Sequence, residues 1–248
     1  MSWETGGGLL TAFAAGSCMG SVIATAVIRR LRGEQVLVGR SRCDGCQRPL
    51  SFVDTLPVLA YTLRRGRCAG CHARIDPLHL VGELCGGTIL AAACLSALNT
   101  GDILPALLCA AIGLTLLAIA LYDAKTLLIP DGLTLLTLGL CSVALCQQGA
   151  ATAVLHLAAA ALCFAILQLV RLSFAKLRGT PGLGFGDVKL LSVLALWLGP
   201  RISIAIALAC ILGLCAAALT RPRSRTTPFG PWIACGAWLV GLEAALWR

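Results

Sequence analysis

Apolar residues in this 248-residue chain come in long runs separated by short polar stretches. Runs of roughly 17–25 residues can cross the hydrocarbon core of a bilayer as helices. Eight candidates stand out: Leu9–Ile28, Leu78–Leu98, Leu104–Leu121, Gly132–Cys146, Ala151–Val170, Val188–Leu198, Ile202–Leu219 and Pro231–Leu246. The fourth and sixth are short. Gly199-Pro200 closes the sixth, because proline cannot continue the backbone hydrogen-bond ladder. The pattern predicts an all-α polytopic membrane protein of about eight transmembrane helices, with one long polar loop after the first. Glu4 and glycines, not a basic stretch, precede the first run, so we expect a retained helix and not a cleavable signal.

Composition sharpens this. The chain is 58% hydrophobic and 12% charged, against about 25% charged in soluble domains, and its mean hydropathy is +0.88. A net charge of +9 by itself suggests nucleic acid, but the placement of the charges argues for membrane topology. With the N-terminus outside, the loop Arg29–Pro77 is cytoplasmic and carries ten basic residues. Lys125, Arg171, Lys176, Arg178, Lys189, Arg221, Arg223 and Arg225 fall on the same side, making 18 of the 20 Lys and Arg. Only Arg201 and Arg248 lie outside, as the positive-inside rule requires. We expect no nucleic-acid partner; the surrounding partner is lipid.

Fourteen cysteines do not make a disulfide framework here, because ten sit mostly in apolar runs, where cysteine behaves as a small hydrophobe. The other four form two Cys-x-x-Cys pairs in the polar loop: Cys43-Asp44-Gly45-Cys46 and Cys68-Ala69-Gly70-Cys71. That spacing suits a tetrahedral site for a structural zinc ion, closed by four thiolates. Gly45 and Gly70 are expected to allow a tight turn around the metal. A disulfide pairing is the weaker alternative in a reducing compartment. His72 is not needed as a ligand, and His79 and His156 are expected to be structural.

Acidic residues beside membrane helices are functional by default. Asp187 follows Gly182-Leu183-Gly184-Phe185-Gly186 and starts an apolar run; Asp123 ends another. The glycines permit positive φ and close approach of another backbone, which a protease needs. Two carboxylates brought together can share a proton and activate water, the chemistry of an aspartic protease. Lys125 and Lys189 each lie two residues after an Asp, where they do not face it on a helix, and are expected to snorkel to the headgroups. Asp131 is expected to cap the fourth helix. Glu83 is open between a helix-start charge and part of a substrate or methyl-donor pocket.

These residues together resemble the prepilin peptidase family, the bifunctional leader peptidases of type IV pili and type II secretion. The resemblance rests on Gly20-Ser21 and Arg29, on the paired cysteine knuckles with Leu56-Pro57 between them, and on Glu83. It rests most on Asp123 before Ile129-Pro130-Asp131 and on Gly184-Phe185-Gly186-Asp187-Val188-Lys189. Ala24 stands near a position where the family usually carries Asn, and Arg32 near one where it carries Pro. The resemblance implies residues 1–28 as a first transmembrane helix, 29–77 as a cytoplasmic zinc-binding loop and 78–248 as a transmembrane aspartic peptidase core. It implies Asp123 and Asp187 as catalytic groups, Gly184, Gly186 and Lys189 as motif support, and no cofactor for proteolysis. The implied substrate is a prepilin or pseudopilin with a short basic leader, cut at the cytoplasmic face of a bacterial inner membrane. N-methylation of the new terminus with S-adenosylmethionine is also implied. Other readings stay open: a Gly-x-Gly-Asp protease that cuts within a membrane helix, a proton-coupled transporter, and a zinc scaffold without catalysis.

Overall fold

The computed structural model describes residues 3–36, 41–43, 45–179, 182–220 and 227–246. Asp44 of the first cysteine knuckle and Arg40, Arg221, Arg223, Arg225 and Arg248 of the orientation argument lie outside the described residues. Among the described residues the protein is all-helical, with two isolated β-bridges and no strand. It divides into two compact units, residues 1–98 and 99–248.

The first unit holds α1 (Trp3–Leu31), a polar loop containing the short α2 (Leu59–Leu63), and α3 (Pro77–Thr100). Packing between α1 and α3 is decided by glycine. Gly16 and Gly20 face Gly86 and Gly82 so closely that a Cβ on any of them would overlap the partner backbone. Each helix thus offers a Gly-x-x-x-Gly face. In lipid, where apolar burial does not drive helices together, such faces give the close backbone approach that dispersion and weak polar contacts need. Ala24, fully buried, lies against Gly82 in the same seam.

The second unit contains α4 (Ile103–Thr126), α5 (Asp131–Cys146), α6 (Ala150–Arg178), α7 (Phe185–Leu198), α8 (Ile202–Thr220) and α9 (Gly230–Leu246). At its centre is α7, which packs against α5, α6, α8 and α9. Its Val188, Leu190, Leu194 and Ala195 have no exposure at all, as expected of a helix that is apolar all round. Its 14 residues span only about 21 Å at 1.5 Å each, short of a hydrocarbon core of about 30 Å. The chain breaks at Gly199, with φ +57°, before Pro200. The imidazole of His156 fills the space beside Gly199, and its Nδ1 lies 3.0 Å from the Leu196 carbonyl, a structural role as expected.

All eight apolar runs become helices. Five segments are long and apolar enough to cross a membrane, with α7 and α8 counted as one; α5 and α9 are shorter. The largest boundary difference is α6, which continues past Val170 to Arg178. Arg171, Lys176 and Arg178 end the apolar run, but Leu, Ala, Lys and Arg are good helix formers. Gly179, with φ +73°, ends the helix instead.

Candidate active site

Among the described residues, two constellations carry chemistry, one in each unit.

In the first unit, the sulfurs of Cys43, Cys46, Cys68 and Cys71 all lie within 4.8 Å of one another, and Cys43 and Cys71 are 3.7 Å apart. Thiolates about 2.3 Å from a tetrahedral zinc are about 3.8 Å from each other, so the four sulfurs fit such an ion. The two knuckles repeat one backbone design. Gln47 N–H donates to the Cys43 carbonyl at 2.9 Å and His72 N–H to the Cys68 carbonyl at 3.1 Å. Gly45 N–H and Gly70 N–H each donate to the first sulfur of their own pair at 3.4 Å. The N–H groups of Cys71 and Gly70 draw the Cys68 thiol down to about 6; at Cys71 the Ala73 N–H is outweighed by burial and the neighbouring sulfurs, which push that thiol up to about 11.

The left-handed residues of these turns are Gln47 (φ +58°) and His72 (φ +56°), each just after the second cysteine. The glycines serve these tight turns with their N–H groups and, at Gly45, by leaving room, and not with a left-handed φ. Gly45 is required for space, since a Cβ there would meet Ala73 at 2.9 Å and the Cys71 sulfur at 3.4 Å. Asp54 steadies the loop, accepting from Ser51 Oγ at 2.7 Å and pairing with Arg64 at 2.5 Å. The Ser51 hydroxyl, with help from Arg64 and Arg48, holds its carboxyl below the usual range.

Glu83 belongs to this unit and is used twice. Ser21 Oγ donates to one oxygen at 2.8 Å, and Val58 N–H to the other at 2.7 Å. The second bond matters because Val58 has φ +63°, a strained conformation for a β-branched residue. Glu83 thereby ties α1 and the polar loop to α3. It also lines a cavity of about 850 Å³ whose wall includes Tyr61, Asp54, Arg42, Arg67 and Arg74.

The second unit brings Asp123 and Asp187 together. Asp123 sits near the C-terminal end of α4, 4% exposed. Its Oδ2 accepts the backbone N–H of Gly230 at 2.8 Å, at the N-terminus of α9. That end of a helix carries unsatisfied N–H groups and favours negative charge. Asp187 lies in the first turn of α7, three residues after the N-cap Gly184, and reaches back to the Gly184 backbone N–H. This is the acidic half of a capping box. The carboxylate of Asp187 is within electrostatic reach of Asp123.

The motif glycines act by room and not by positive φ. A Cβ on Gly184 would stand 2.8 Å from Asp187 Oδ2, and one on Gly186 would press on Ile129 at 3.0 Å. Gly230 is equally confined, because its Cβ would meet Asp123 Oδ2 at 2.8 Å. Gly230 is a site residue the sequence reading missed. The available signal was Gly230-Pro231 at the start of an apolar run, where proline favours the first helical turn.

Lys189 and Asp131 depart from expectation. Pro130 takes the N-cap of α5, so Asp131 is already inside the helix and does not cap it. Its carboxylate pairs with the Lys189 ammonium, which therefore does not simply snorkel. The Phe185 ring is contacted by two cations, Arg171 at 5.1 Å and Lys189 at 5.2 Å from its centre.

The Asp123 and Asp187 carboxylates are within electrostatic reach of each other, and the thiol cluster can hold a metal. Comparison with known proteins matches the bacterial peptidase A24 N-terminal domain over residues 14–97 and the type IV leader peptidase family over residues 110–218. The chain is similar to the prepilin leader peptidase/N-methyltransferase of Burkholderia pseudomallei strain 1026b, 37% identical over 216 residues. That match covers 80% of this chain and 65% of the relative, so the chain spans slightly less than two thirds of it. The protein of the same name from Dichelobacter nodosus is 31% identical over 212 residues, covering 85% of this chain and 73% of the relative. The one from Aeromonas hydrophila is 30% identical over 228 residues, covering 86% and 73%. No solved structure matches the chain.

Proposed function

Since the chain belongs to the type IV leader peptidase family, we propose that it is a membrane aspartic endopeptidase. It removes the short basic leader from type IV prepilins or type II secretion pseudopilins and then N-methylates the new terminus. The observation that carries this reading is that two carboxylates at helix ends, Asp123 near the end of α4 and Asp187 in the first turn of α7, come within electrostatic reach of each other. One carboxylate, ionised, takes a proton from a water held between the two. The other, protonated, donates a hydrogen bond to the scissile carbonyl and then helps protonate the leaving amine. Two carboxylates that share one site do not both ionise easily, so one is expected to keep its proton while the other acts as base. No covalent intermediate forms, and no metal takes part in the cleavage.

The protein lies in the bacterial inner membrane with eight crossings, an outside N-terminus and the dyad at the cytoplasmic face. The basic side of the charge distribution supports this orientation. The substrate's apolar helix lies in the bilayer alongside the enzyme. Cys43, Cys46, Cys68 and Cys71 hold a structural zinc ion that cross-links the polar loop. S-adenosylmethionine supplies the methyl group when bound. The cavity of about 850 Å³ in the first unit would hold it, with Arg42, Arg67 and Arg74 in its wall to meet its carboxylate. The family match favours neither the helix-internal protease nor the transporter.

The test is co-expression with a prepilin and mass spectrometry of the product. The reading expects loss of the leader and a methylated new terminus. An unprocessed prepilin beside normal amounts of wild-type enzyme would overturn it.

A further inference from the structure

Asp123 and Asp187 are on different helices, and something must set their separation. The chain leaves the Asp123 helix at Thr126, passes through Leu127 with φ +58°, and enters α5 at Asp131. This connection lies against the first turn of α7 at two points that flank Asp187. Ile129 packs on Gly186, one residue before it. Asp131 pairs with Lys189, two residues after it. Lys189 also faces the Phe185 ring, which Arg171 of α6 covers from elsewhere.

We propose that the Asp131–Lys189 pair is a positioning element for the dyad. It locks the segment leaving the helix of Asp123 onto the turn that carries Asp187, and so holds the two carboxylates at their working separation. This rests on the dyad reading above and adds two residues that touch neither the scissile bond nor the water. The Asp131 side chain is 80% exposed, so a pair with no positioning role would contribute little. A helix-start carboxylate that only complements the α5 dipole would act on stability and not on turnover. The positioning role predicts the opposite pattern.

The experiment measures kcat and KM on a full-length prepilin in detergent for wild type, Asp131→Asn, Lys189→Met, the double variant and Lys189→Arg. Membrane abundance and thermal stability are followed in each. Misplacing a reacting group by a fraction of an ångström is enough to lower kcat by about tenfold or more, with KM changed by no more than about twofold. The double variant loses no more than either single, because both remove one contact. Lys189→Arg, which keeps the charge, recovers most of the turnover. Unchanged kcat, a loss confined to KM, or a double-variant loss equal to the product of the singles would overturn the proposal. A kcat loss that tracks folded protein and is not restored by arginine would overturn it too. Wild type is the internal control: if it does not cleave, the function reading has failed, and not the positioning role.

Discussion

The cysteine loop and the carboxylate pair solve the same problem, bringing reactive groups together, at different distances along the chain. Each knuckle is local. Its turn closes within six residues through bonds such as Cys43 N–H to the Arg48 carbonyl and Cys68 N–H to the Ala73 carbonyl, both 2.9 Å. The carboxylate pair is built from helix ends. Asp123 takes its backbone donor from Gly230, 107 residues later, and Asp187 is delivered by a separate short helix. A local design depends on what is bound at its centre, whereas a long-range one depends on packing around it. Damage to the first should therefore appear as lost protein, and damage to the second as lost turnover.

The largest effect expected from this contrast is on the loop. Replacing Cys43 and Cys68 together with Ser should remove most of the folded enzyme from the membrane, because metal binding in such sites is folding free energy. Quantitative immunoblotting against wild type tests this, and normal abundance with lost cleavage would place the loop in catalysis instead. Next is Gly230→Ala. A Cβ 2.8 Å from Asp123 Oδ2 should displace that carboxylate and cost about a hundredfold in kcat, with abundance unchanged. Gly184→Ala, with its Cβ 2.8 Å from Asp187 Oδ2, should cost about tenfold, since Asp187 can turn away from its own helix start. Steady-state kinetics on a full-length prepilin decides both. The smallest effect concerns the substrate: a soluble leader peptide lacking the apolar helix should be cleaved poorly, and rates equal to the full-length protein in detergent would count against lateral docking.

The same contrast explains what could be read from the sequence. Apolar runs marked every long helix, because in lipid length and hydropathy suffice. The four cysteines were legible because metal geometry restricts spacing over a few residues. Asp123 and Asp187 were legible as rare charges at helix ends. Their supports were not. The Gly230 contact depends on how α9 packs against α4, which no local pattern encodes. At Asp131 the preference of Asp for caps misleads, because Pro130 holds that place and the carboxylate meets Lys189. The α1–α3 seam did leave a trace, two Gly-x-x-x-Gly spacings at Gly16–Gly20 and Gly82–Gly86, which identifies close helix contact once both are seen.

If Asp123 and Asp187 perform the hydrolysis together, as proposed, neither can be spared. The most direct test is leader removal from a co-expressed prepilin by wild type, Asp123→Asn and Asp187→Asn, at matched membrane abundance. Complete processing by wild type and none by either variant is expected. Cleavage by either variant would contradict it, and would turn attention to Asp131 as the remaining carboxylate beside the site.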